Sequence, residues 1–256
     1  MASELEDVQR QVAVANRILA DVGLAVGLTS ALGHASMRLP SDPERFLVKG
    51  REYELDALSV MRPDDMVVCD TEGYLVGGRA GLTQCSEIKI HSCIYKTQPG
   101  VQSVVHVHPR YTVLLSTLGV TLVPMCQEGA QLVRRPLKVY PHVKTIQTDE
   151  EGMELATLMG SDKAILMQGH GAVTTGVSLE ESVTSMMQLE EQARMNYLAY
   201  CAEGREYRSI PLELVDAMEG RTPLYELPHF KDVLKGRAPV RSGIWNFRVH
   251  SVSQDL

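Results

Sequence analysis

The stretch Val-Val-His106-Val-His108-Pro109, residues 104–109, carries the strongest structural signal in this chain, because a strand pattern and two histidines coincide there. Valine favours β-strands and proline ends them. Successive strand side chains point to opposite faces of a sheet, so residues two apart share one face. The spacing therefore predicts two imidazoles side by side on one strand, as in a metal-binding pair.

A third histidine follows another short apolar run. Residues 164–167 read Ala-Ile-Leu-Met, which predicts a strand, and His170 comes next between two glycines. Glycines let the backbone pass close to an ion or a ligand. Three converging imidazoles form a site for a divalent transition metal that keeps a position open for substrate. A surface or structural role is the alternative, since histidine hydrogen-bonds in many settings.

The composition of the chain bounds its class. The 256 residues are 44% hydrophobic and 22% charged, as in an ordinary globular protein of one or two domains. A net charge of −7 argues against nucleic acid or an anionic membrane as the main partner. No apolar stretch approaches the roughly 20 residues of a membrane helix, and the acidic N-terminus lacks a signal-peptide pattern. We therefore expect a cytoplasmic protein.

Hydrophobic periodicity predicts one α/β domain in which strands and helices are interspersed. No repeat or linker interrupts it, and five scattered cysteines suggest neither disulfides nor a zinc knuckle. A long helix is expected from Ser178, which has a capping glutamate three residues later. Helices are predicted over 4–22, 86–97, 110–118, 150–159 and 178–203. Strands or extended pieces are predicted over 46–48, 66–69, 74–76, 101–107, 121–125, 130–147, 163–168 and 172–175.

Glu87 is the leading candidate for a proton carrier beside the metal. It lies at the start of a predicted helix, where Ser86 could be the cap and His91 would share its helical face. A carboxylate beside a divalent ion can be a ligand or a general acid/base. Alternatively, Glu87 merely suits the positive end of the helix dipole. Cys85 next to it could be a nucleophile, but a small buried side chain is the favoured interpretation.

These pieces together resemble the class II aldolase and adducin head family over residues 5–205. The shared motifs occur in the family's order: the N-terminal helix, Gly33-His34-Ala35-Ser36, Ser86-Glu87 with His91, His106-Val-His108, and Gly169-His170-Gly171. The resemblance implies an α/β/α sandwich around a mainly antiparallel sheet. It also implies a catalytic domain over residues 1–205, followed by an extension over 206–256 that packs on this domain or on a neighbouring subunit.

The resemblance further implies a divalent metal (Zn, Mn, Fe or Co) on His106, His108 and His170, with Glu87 as the acid. Members of the family are commonly tetramers whose active sites lie between subunits, so a homo-oligomer is expected. The sugar-phosphate members carry Gly-Asn-x-Ser and hydroxyl-rich loops that cradle phosphate. Here His34 replaces the asparagine, and the loops read Val48-Lys49-Gly50-Arg51 and Cys85-Ser86-Glu87. We therefore expect that phosphate is not the group recognised.

Cationic groups appear where the phosphate loops differ, although each could be a solvated surface charge. They are His34, Arg38, Lys49, Arg51 and Arg110. Arg110 is the best of these for binding a substrate carboxylate, because it begins the helix after the metal strand and a guanidinium pairs bidentately with a carboxylate.

The Gly-His-Ala-Ser motif is similar to that of the family's decarboxylases of hydroxylated aromatic acids. This likeness implies a metal-dependent, non-oxidative decarboxylase of a hydroxyaryl dicarboxylate, with 3,4-dihydroxyphthalate giving protocatechuate as the first candidate, in aromatic catabolism. His34 and Arg110 would hold carboxylates, with Ser36 and Ser86 as hydrogen-bonding neighbours. His91 would orient Glu87, contact substrate, or be purely structural.

Two other functions are compatible with the motifs. One is a class II aldolase that cleaves a carbon–carbon bond beside a carbonyl, where a metal would stabilise an enediolate. The other is a non-catalytic interaction module like the adducin heads, which lack a working metal site. Because all three histidines and Glu87 are present, an enzyme is favoured over such a module.

Overall fold

The computed structural model describes residues 4–52, 54–236, 238 and 241–256. Within these ranges the helices are α1 (Glu4–Asp21), α2 (Ile88–Thr97), α3 (Arg110–Leu118), α4 (Asp149–Met159), α5 (Leu179–Glu203), α6 (Leu212–Asp216), α7 (Pro228–Leu234) and α8 (Gly243–Val252). The strands are β1 (His34–Leu39), β2 (Asp42–Arg51), β3 (Met66–Asp70), β4 (Leu75–Gly77), β5 (Thr83–Gln84), β6 (Ser103–Val107), β7 (Val139–Tyr140), β8 (Ala164–Met167) and β9 (Gly171–Gly176).

The strands form one sheet with the order β4-β3-β2-β1-β6-β9-β8-β7, and β5 pairs with β2. Every pairing is antiparallel except β7 with β8, which is parallel. The expected mainly antiparallel sheet is therefore confirmed. The central strands β1, β6 and β9 come from distant parts of the sequence, so their pairing brings the histidine-containing motifs of the two halves of the chain together.

Two hydrophobic cores lie on opposite faces of this sheet. Val104 and Val105 are neighbours on β6, and their side chains enter different cores because strand side chains alternate. One core contains the buried faces of α1, α3, α5 and α8, and the other contains those of α2 and α4. Helices on both faces of a central sheet confirm the predicted α/β/α sandwich.

The predicted strand over residues 121–125 is wrong. This segment is extended, but its backbone bonds to side chains of α5 rather than to another strand. Asn196 accepts from the Val123 amide at 3.0 Å and donates to the Val123 carbonyl at 2.8 Å, and Gln192 accepts from the Met125 amide at 2.9 Å. Both amide side chains are fully buried. They satisfy the backbone groups that a sheet would otherwise have to satisfy.

The predicted helix start at residue 86 is also wrong. Helix α2 begins at Ile88, with Glu87 in the N-cap position and no side chain capping it. Ser86 is exposed and is not the cap. Of the extended pieces expected over residues 130–147, only β7 forms a strand. The cap of α5 is confirmed, since the Ser178 hydroxyl accepts from the Glu181 amide at 3.2 Å.

The C-terminal segment packs back on the same chain. Trp245 of α8 is buried in the core that contains α1. Arg17 of α1 donates to the Val252 carbonyl at 3.0 Å and forms an ion pair with Asp255 at 2.5 Å. Helix α8 and the residues that follow it therefore cover one face of α1. Over the part of the chain that is described, none of the helices has the length and apolar character needed to cross a membrane.

Candidate metal and substrate site

Three motifs meet at one end of the sheet. His34 starts β1 and lies directly opposite His106 of β6 in the antiparallel register. His108 follows the end of β6, and His170 lies in the short connection from β8 to β9. Glu87 reaches the same place from the N-terminus of α2. The strand order thus gathers at one point side chains that are up to 136 positions apart in sequence.

Four of these side chains could together hold a metal ion. The ligand atoms of Glu87, His106, His108 and His170 all lie within 4.8 Å of one another. The Nε2 atoms of His106 and His108 are 3.2 Å apart. The Glu87 carboxylate lies 3.2 Å from His106 Nε2 and 3.5 Å from His170 Nε2. Three imidazoles and one carboxylate are a donor set that suits a divalent transition metal.

Backbone carbonyls fix two of the imidazoles in the tautomer that a metal requires. His106 Nδ1 lies 3.0 Å from the Ala172 carbonyl, and His170 Nδ1 lies 3.1 Å from the Lys144 carbonyl. Because a carbonyl can only accept, each Nδ1 must donate its proton, which leaves the Nε2 lone pair for the centre. Burial and the nearby His106 and His170 lower the pKa of His108 to about 3, so it is neutral as well.

Glu87 contributes a buried negative charge to this centre. Burial alone would raise the pKa of its carboxyl, but attraction to His106 and hydrogen bonds with His106 and His170 hold it well below its usual range. The Ile146 amide also donates to its Oε1 at 3.1 Å. An ionised carboxylate shielded from water has the charge that a divalent cation would balance. The residues present therefore fit such an ion.

The remaining predicted site residues fall into two groups. His34, Ser36 and His91 are buried side by side, and their side chains form one hydrogen-bonded chain. Ser86 and Arg110 are exposed near the centre, next to Glu87 and to the His108-Pro109 corner respectively. Only His34 of the first group has a ring beside a proposed ligand, with its centroid 5.4 Å from that of His106. No hydrogen bond from His91 to Glu87 is present in the described structure.

Two of the predicted cationic groups are committed to the protein itself. Lys49 is buried, donates to the Ala31 carbonyl at 3.2 Å and forms an ion pair with Asp56. Arg38 is buried too and donates to the Tyr95 carbonyl, as well as to three other carbonyls. Neither is a solvated surface charge. Arg51 also lies 3.8 Å from Asp56, so Arg110 is the cationic candidate left for a substrate, and His34 is a candidate as a neutral hydrogen-bond donor.

Two functional neighbours were not anticipated from the sequence. Tyr95 lies one helical turn after His91 on α2, and its hydroxyl is hydrogen-bonded to Ser36. The four-residue spacing from His91, which places both side chains on one helical face, is the sequence signal that could have identified it. Glu190 on α5 accepts from the Tyr111 and Thr112 amides at 2.9 and 3.0 Å and caps α3 from outside. Burial raises the pKa of the Glu190 carboxyl, while these donors and Arg110 lower it.

Replacing Gly171 by alanine is expected to weaken metal binding by about tenfold or more. An added Cβ would lie 2.5 Å from the Val107 carbonyl oxygen and 3.0 Å from the His106 ring, so the ring or the strand must move. Metal affinity is measured by isothermal titration of the metal-free protein. Gly100→Ala, which meets no atom within 4 Å, is the control. Equal affinities for both variants would show that the His106 ring is not held against β9.

Replacing Glu190 by alanine is expected to destabilise the protein by about 2 kcal/mol, because three buried donors lose their acceptor. They are the Tyr111 and Thr112 amides and the Thr112 hydroxyl. For a chain of this length the melting temperature should fall by about 4–8 °C. Glu191→Ala removes a neighbouring carboxylate whose one ion pair among the described residues is with Arg194. A fall as large in that control would contradict a specific role of Glu190 at α3.

Comparison with known proteins agrees with this architecture. Residues 10–197 match the family model described as Class II Aldolase and Adducin N-terminal domain. A 3,4-dihydroxyphthalate decarboxylase from Terrabacter sp. (strain DBF63) is 29% identical over 218 residues, which cover 83% of this chain and 89% of that protein. A 3-oxo-tetronate 4-phosphate decarboxylase from Haemophilus influenzae is 29% identical over 194 residues, 74% of this chain and 86% of that protein. The crystal structure of an aldolase II superfamily protein from Pseudomonas syringae superposes with a TM-score of 0.77 at 21% identity, covering 99% of this chain and 95% of that one.

Proposed function

Because the chain belongs to the class II aldolase and adducin N-terminal domain family, we propose that it is a divalent-metal-dependent carboxy-lyase acting on a hydroxylated aromatic dicarboxylate. The first substrate to test is 3,4-dihydroxyphthalate, which would give protocatechuate in aromatic catabolism. The observation that carries the proposal is the convergence of His106, His108, His170 and an ionised Glu87 within 4.8 Å. The similarity to a decarboxylase of that substrate supports the reaction class.

The commitment of Lys49 supports an aromatic rather than a phosphorylated substrate. Asp56 faces its ammonium group, and a phosphate there would have to displace that carboxylate. His34 and Arg110 are the groups we assign to the substrate carboxylates. An imidazole N–H and a guanidinium both donate hydrogen bonds to carboxylate oxygens, and the guanidinium can do so bidentately. Ser86, exposed beside Glu87, is placed as a further donor.

Loss of carbon dioxide breaks one carbon–carbon bond and leaves its electron pair on the ring carbon. A bound divalent cation would supply Lewis-acid stabilisation of the charge as it spreads to the ortho oxygen. Glu87 is ionised at rest, so it can accept the phenolic proton when the substrate binds. It then returns that proton to the ring carbon. The phenolic oxygen is left ionised and takes a proton from water as the product leaves. The cycle ends with carbon dioxide released, the ring carbon protonated and Glu87 ionised again.

Carbon dioxide release from 3,4-dihydroxyphthalate tests the proposal directly. Purified protein is assayed before and after chelation, and again after manganese or zinc is added back. We expect metal-dependent release with protocatechuate as the product. No release with any metal, in protein that demonstrably binds one, would reject this substrate. Aldol donors would then be assayed, because cleavage beside a carbonyl makes the same electronic demand on the site.

We assign this protein to a homo-oligomer, with a tetramer as the first state to test. The C-terminal segment supports self-association, because Val233 of α7 and Ile244 and Phe247 of α8 are exposed to a degree unusual for large apolar side chains. Light scattering on the purified protein measures the assembly, and a monomer at assay concentration would contradict it. We also propose that the protein acts in the cytoplasm.

A further inference from the structure

A buried chain of polar side chains runs away from the metal centre, starting at His34. His34 Nδ1 lies 2.6 Å from His91 Nε2, and His91 Nδ1 lies 2.6 Å from the Ser36 hydroxyl. The Ser36 hydroxyl lies 2.7 Å from the Tyr95 hydroxyl. All four residues are at least 96% buried, and Ser36 and His91 are fully buried. Solvent therefore cannot substitute for any missing partner along this chain.

The contact between the two histidine rings requires a lone pair on one of the facing nitrogens, because two N–H groups cannot point at each other across 2.6 Å. Burial and the charge of His106 lower the pKa of His91 to about 3. A neutral imidazole has one donor and one acceptor nitrogen. The short contact between the two rings must then be a single hydrogen bond, and it can run in only two directions.

In the first direction every donor within the chain has a good acceptor, and the one proton without a protein acceptor in the described structure is that on His34 Nε2, at the end of the chain beside His106. The Tyr95 hydroxyl donates to Ser36, and the Ser36 hydroxyl donates to His91 Nδ1. His91 Nε2 then donates to His34 Nδ1, so His34 carries its own proton on Nε2. Burial raises the pKa of the Tyr95 hydroxyl, which keeps it a donor.

The second direction is poorer. If His34 Nδ1 donates to His91, then His91 Nδ1 donates to Ser36. The Ser36 hydrogen must then go to Tyr95, which leaves the Tyr95 hydrogen without an acceptor in the described structure, or to the Val104 carbonyl at 3.4 Å. A buried donor without a partner costs about 1–3 kcal/mol. With the Val104 carbonyl as acceptor no donor is lost, but that bond is 3.4 Å long, whereas the bonds of the first direction are 2.6 to 2.7 Å long. The lengths of the hydrogen bonds therefore favour the first direction.

We infer that Tyr95, Ser36 and His91 are positioning residues that hold His34 in its Nε2–H tautomer and so make it a fixed hydrogen-bond donor to the substrate carboxylate. This inference rests on the proposed function for the identity of the acceptor. It separates the four residues by role: His34 contacts the substrate, and the other three act only through it. An ionised carboxylate accepts hydrogen bonds but cannot donate them. The opposite tautomer of His34 would therefore present a nitrogen lone pair to a negatively charged oxygen.

The far end of the chain is anchored by Arg38. Its guanidinium donates to the Tyr95 carbonyl at 2.5 Å and lies 4.5 Å from the centre of the Tyr95 ring. Arg38 in turn donates to the Val101 and Pro43 carbonyls. These contacts hold the tyrosine ring and so keep its hydroxyl oxygen within hydrogen-bond distance of Ser36. The burial of Arg38 is thus explained by its contacts within the protein, without a contact to the substrate.

The tautomer of His34 can be measured without any substrate. Full-length protein labelled with ¹⁵N-histidine is sedimented and studied by magic-angle-spinning NMR, with zinc and without it. The expected spectrum shows a protonated Nε2 and an unprotonated Nδ1 for His34, assigned by its loss in His34→Gln. A protonated Nδ1 on His34 would overturn the inference.

Tyr95→Phe removes the hydroxyl at which the chain begins. We expect His34 to shift to a mixture of tautomers and zinc affinity to stay within about twofold of the wild type, because the ligands in contact with zinc are untouched. Ser36→Ala should cause the same shift if Tyr95→Phe does not fold. The control is Tyr140→Phe, which removes another buried hydroxyl, bonded to Glu154, from the same core. An unchanged tautomer in Tyr95→Phe would refute the positioning role.

Turnover provides the second readout. In Tyr95→Phe the KM for the aromatic dicarboxylate should rise about fivefold, the equivalent of one hydrogen bond, with a smaller change in kcat. Tyr140→Phe should leave both constants unchanged. If the proposed substrate is not turned over while the His34 tautomer is as expected, the proposed function fails and the hydrogen-bonded chain stands. If turnover occurs with the opposite tautomer, the chain fails and the function stands.

Discussion

Alanine in place of His106 is expected to abolish stable metal binding and, with it, catalysis. His106 is fully buried and lies at the middle of the cluster, in contact with both Glu87 and His108. Its removal deletes one of three imidazole donors and leaves Glu87 with one fewer partner. We expect the metal dissociation constant to rise on the order of 100-fold or more, since loss of outer contacts alone costs about 10- to 100-fold. Metal content after dialysis and isothermal titration with zinc or manganese measure the change.

A matched histidine variant separates this effect from a general loss of stability. His250→Ala removes an exposed imidazole on α8 that bonds only to Gln254 among the described residues. It should bind metal as the wild type does. Circular dichroism and thermal unfolding establish that His106→Ala is folded before its affinity is measured. A folded His106→Ala protein with unchanged metal affinity would mean that the ion, if bound, lies elsewhere.

The metal centre could be found from the sequence because its signals are local. His106 and His108 share one face through the two-residue period of a strand, and His170 follows a strand-like run between glycines. The carbonyls that orient these rings could not be found in this way. Ala172 and Lys144 carry no chemical signal: the Ala172 carbonyl reaches His106 because β6 pairs with β9 in one register, and the Lys144 carbonyl reaches His170 from the loop between β7 and α4. Register depends on contacts between distant segments.

The failed strand over residues 121–125 has the same origin. Its valine and leucine content favours an extended conformation, and the segment is indeed extended. Whether an extended segment joins a sheet depends on which groups form hydrogen bonds with its backbone in the folded protein. Here the partners are Gln192 and Asn196, side chains on one face of a helix more than 60 residues later. Sequence periodicity therefore predicted the elements around the site better than the polar contacts between them.

The roles of Ser36 and His91 depend on how deeply they are buried, which the sequence does not show. Both belong to motifs at the site: Ser36 is expected as a hydrogen-bonding neighbour of the substrate, and His91 is expected to orient Glu87, contact substrate or be purely structural. In the structure both are fully buried behind His34 and bonded to each other. Residues that are close in a motif can differ in depth by a few ångströms, which is enough for one to line a pocket while the other lies behind it. Tyr95 joins them because α2 continues for one more turn against the same strand.

Glutamine in place of Glu87 is expected to lower kcat by about 10²- to 10⁴-fold while the protein still binds its metal. The amide has nearly the same shape and keeps an oxygen that can accept from the Ile146 amide. It cannot take up or return a proton. Three imidazoles remain for the ion, so the change in metal affinity should be small beside the loss of rate. Single-turnover assays at saturating metal, together with titration of the metal-free variant, measure the two effects separately.

The two readouts decide between the roles open to Glu87. A large loss of rate with metal retained identifies the carboxylate as the proton carrier. A loss of metal that parallels the loss of rate would make Glu87 a ligand, and the proton would have to be moved by another group. Glu154→Gln, on α4 and bonded to Tyr140, is the matched carboxylate control and should change neither quantity. Full activity of Glu87→Gln would remove the carboxylate from the mechanism, because no neutral amide can carry the proton between phenol and ring carbon.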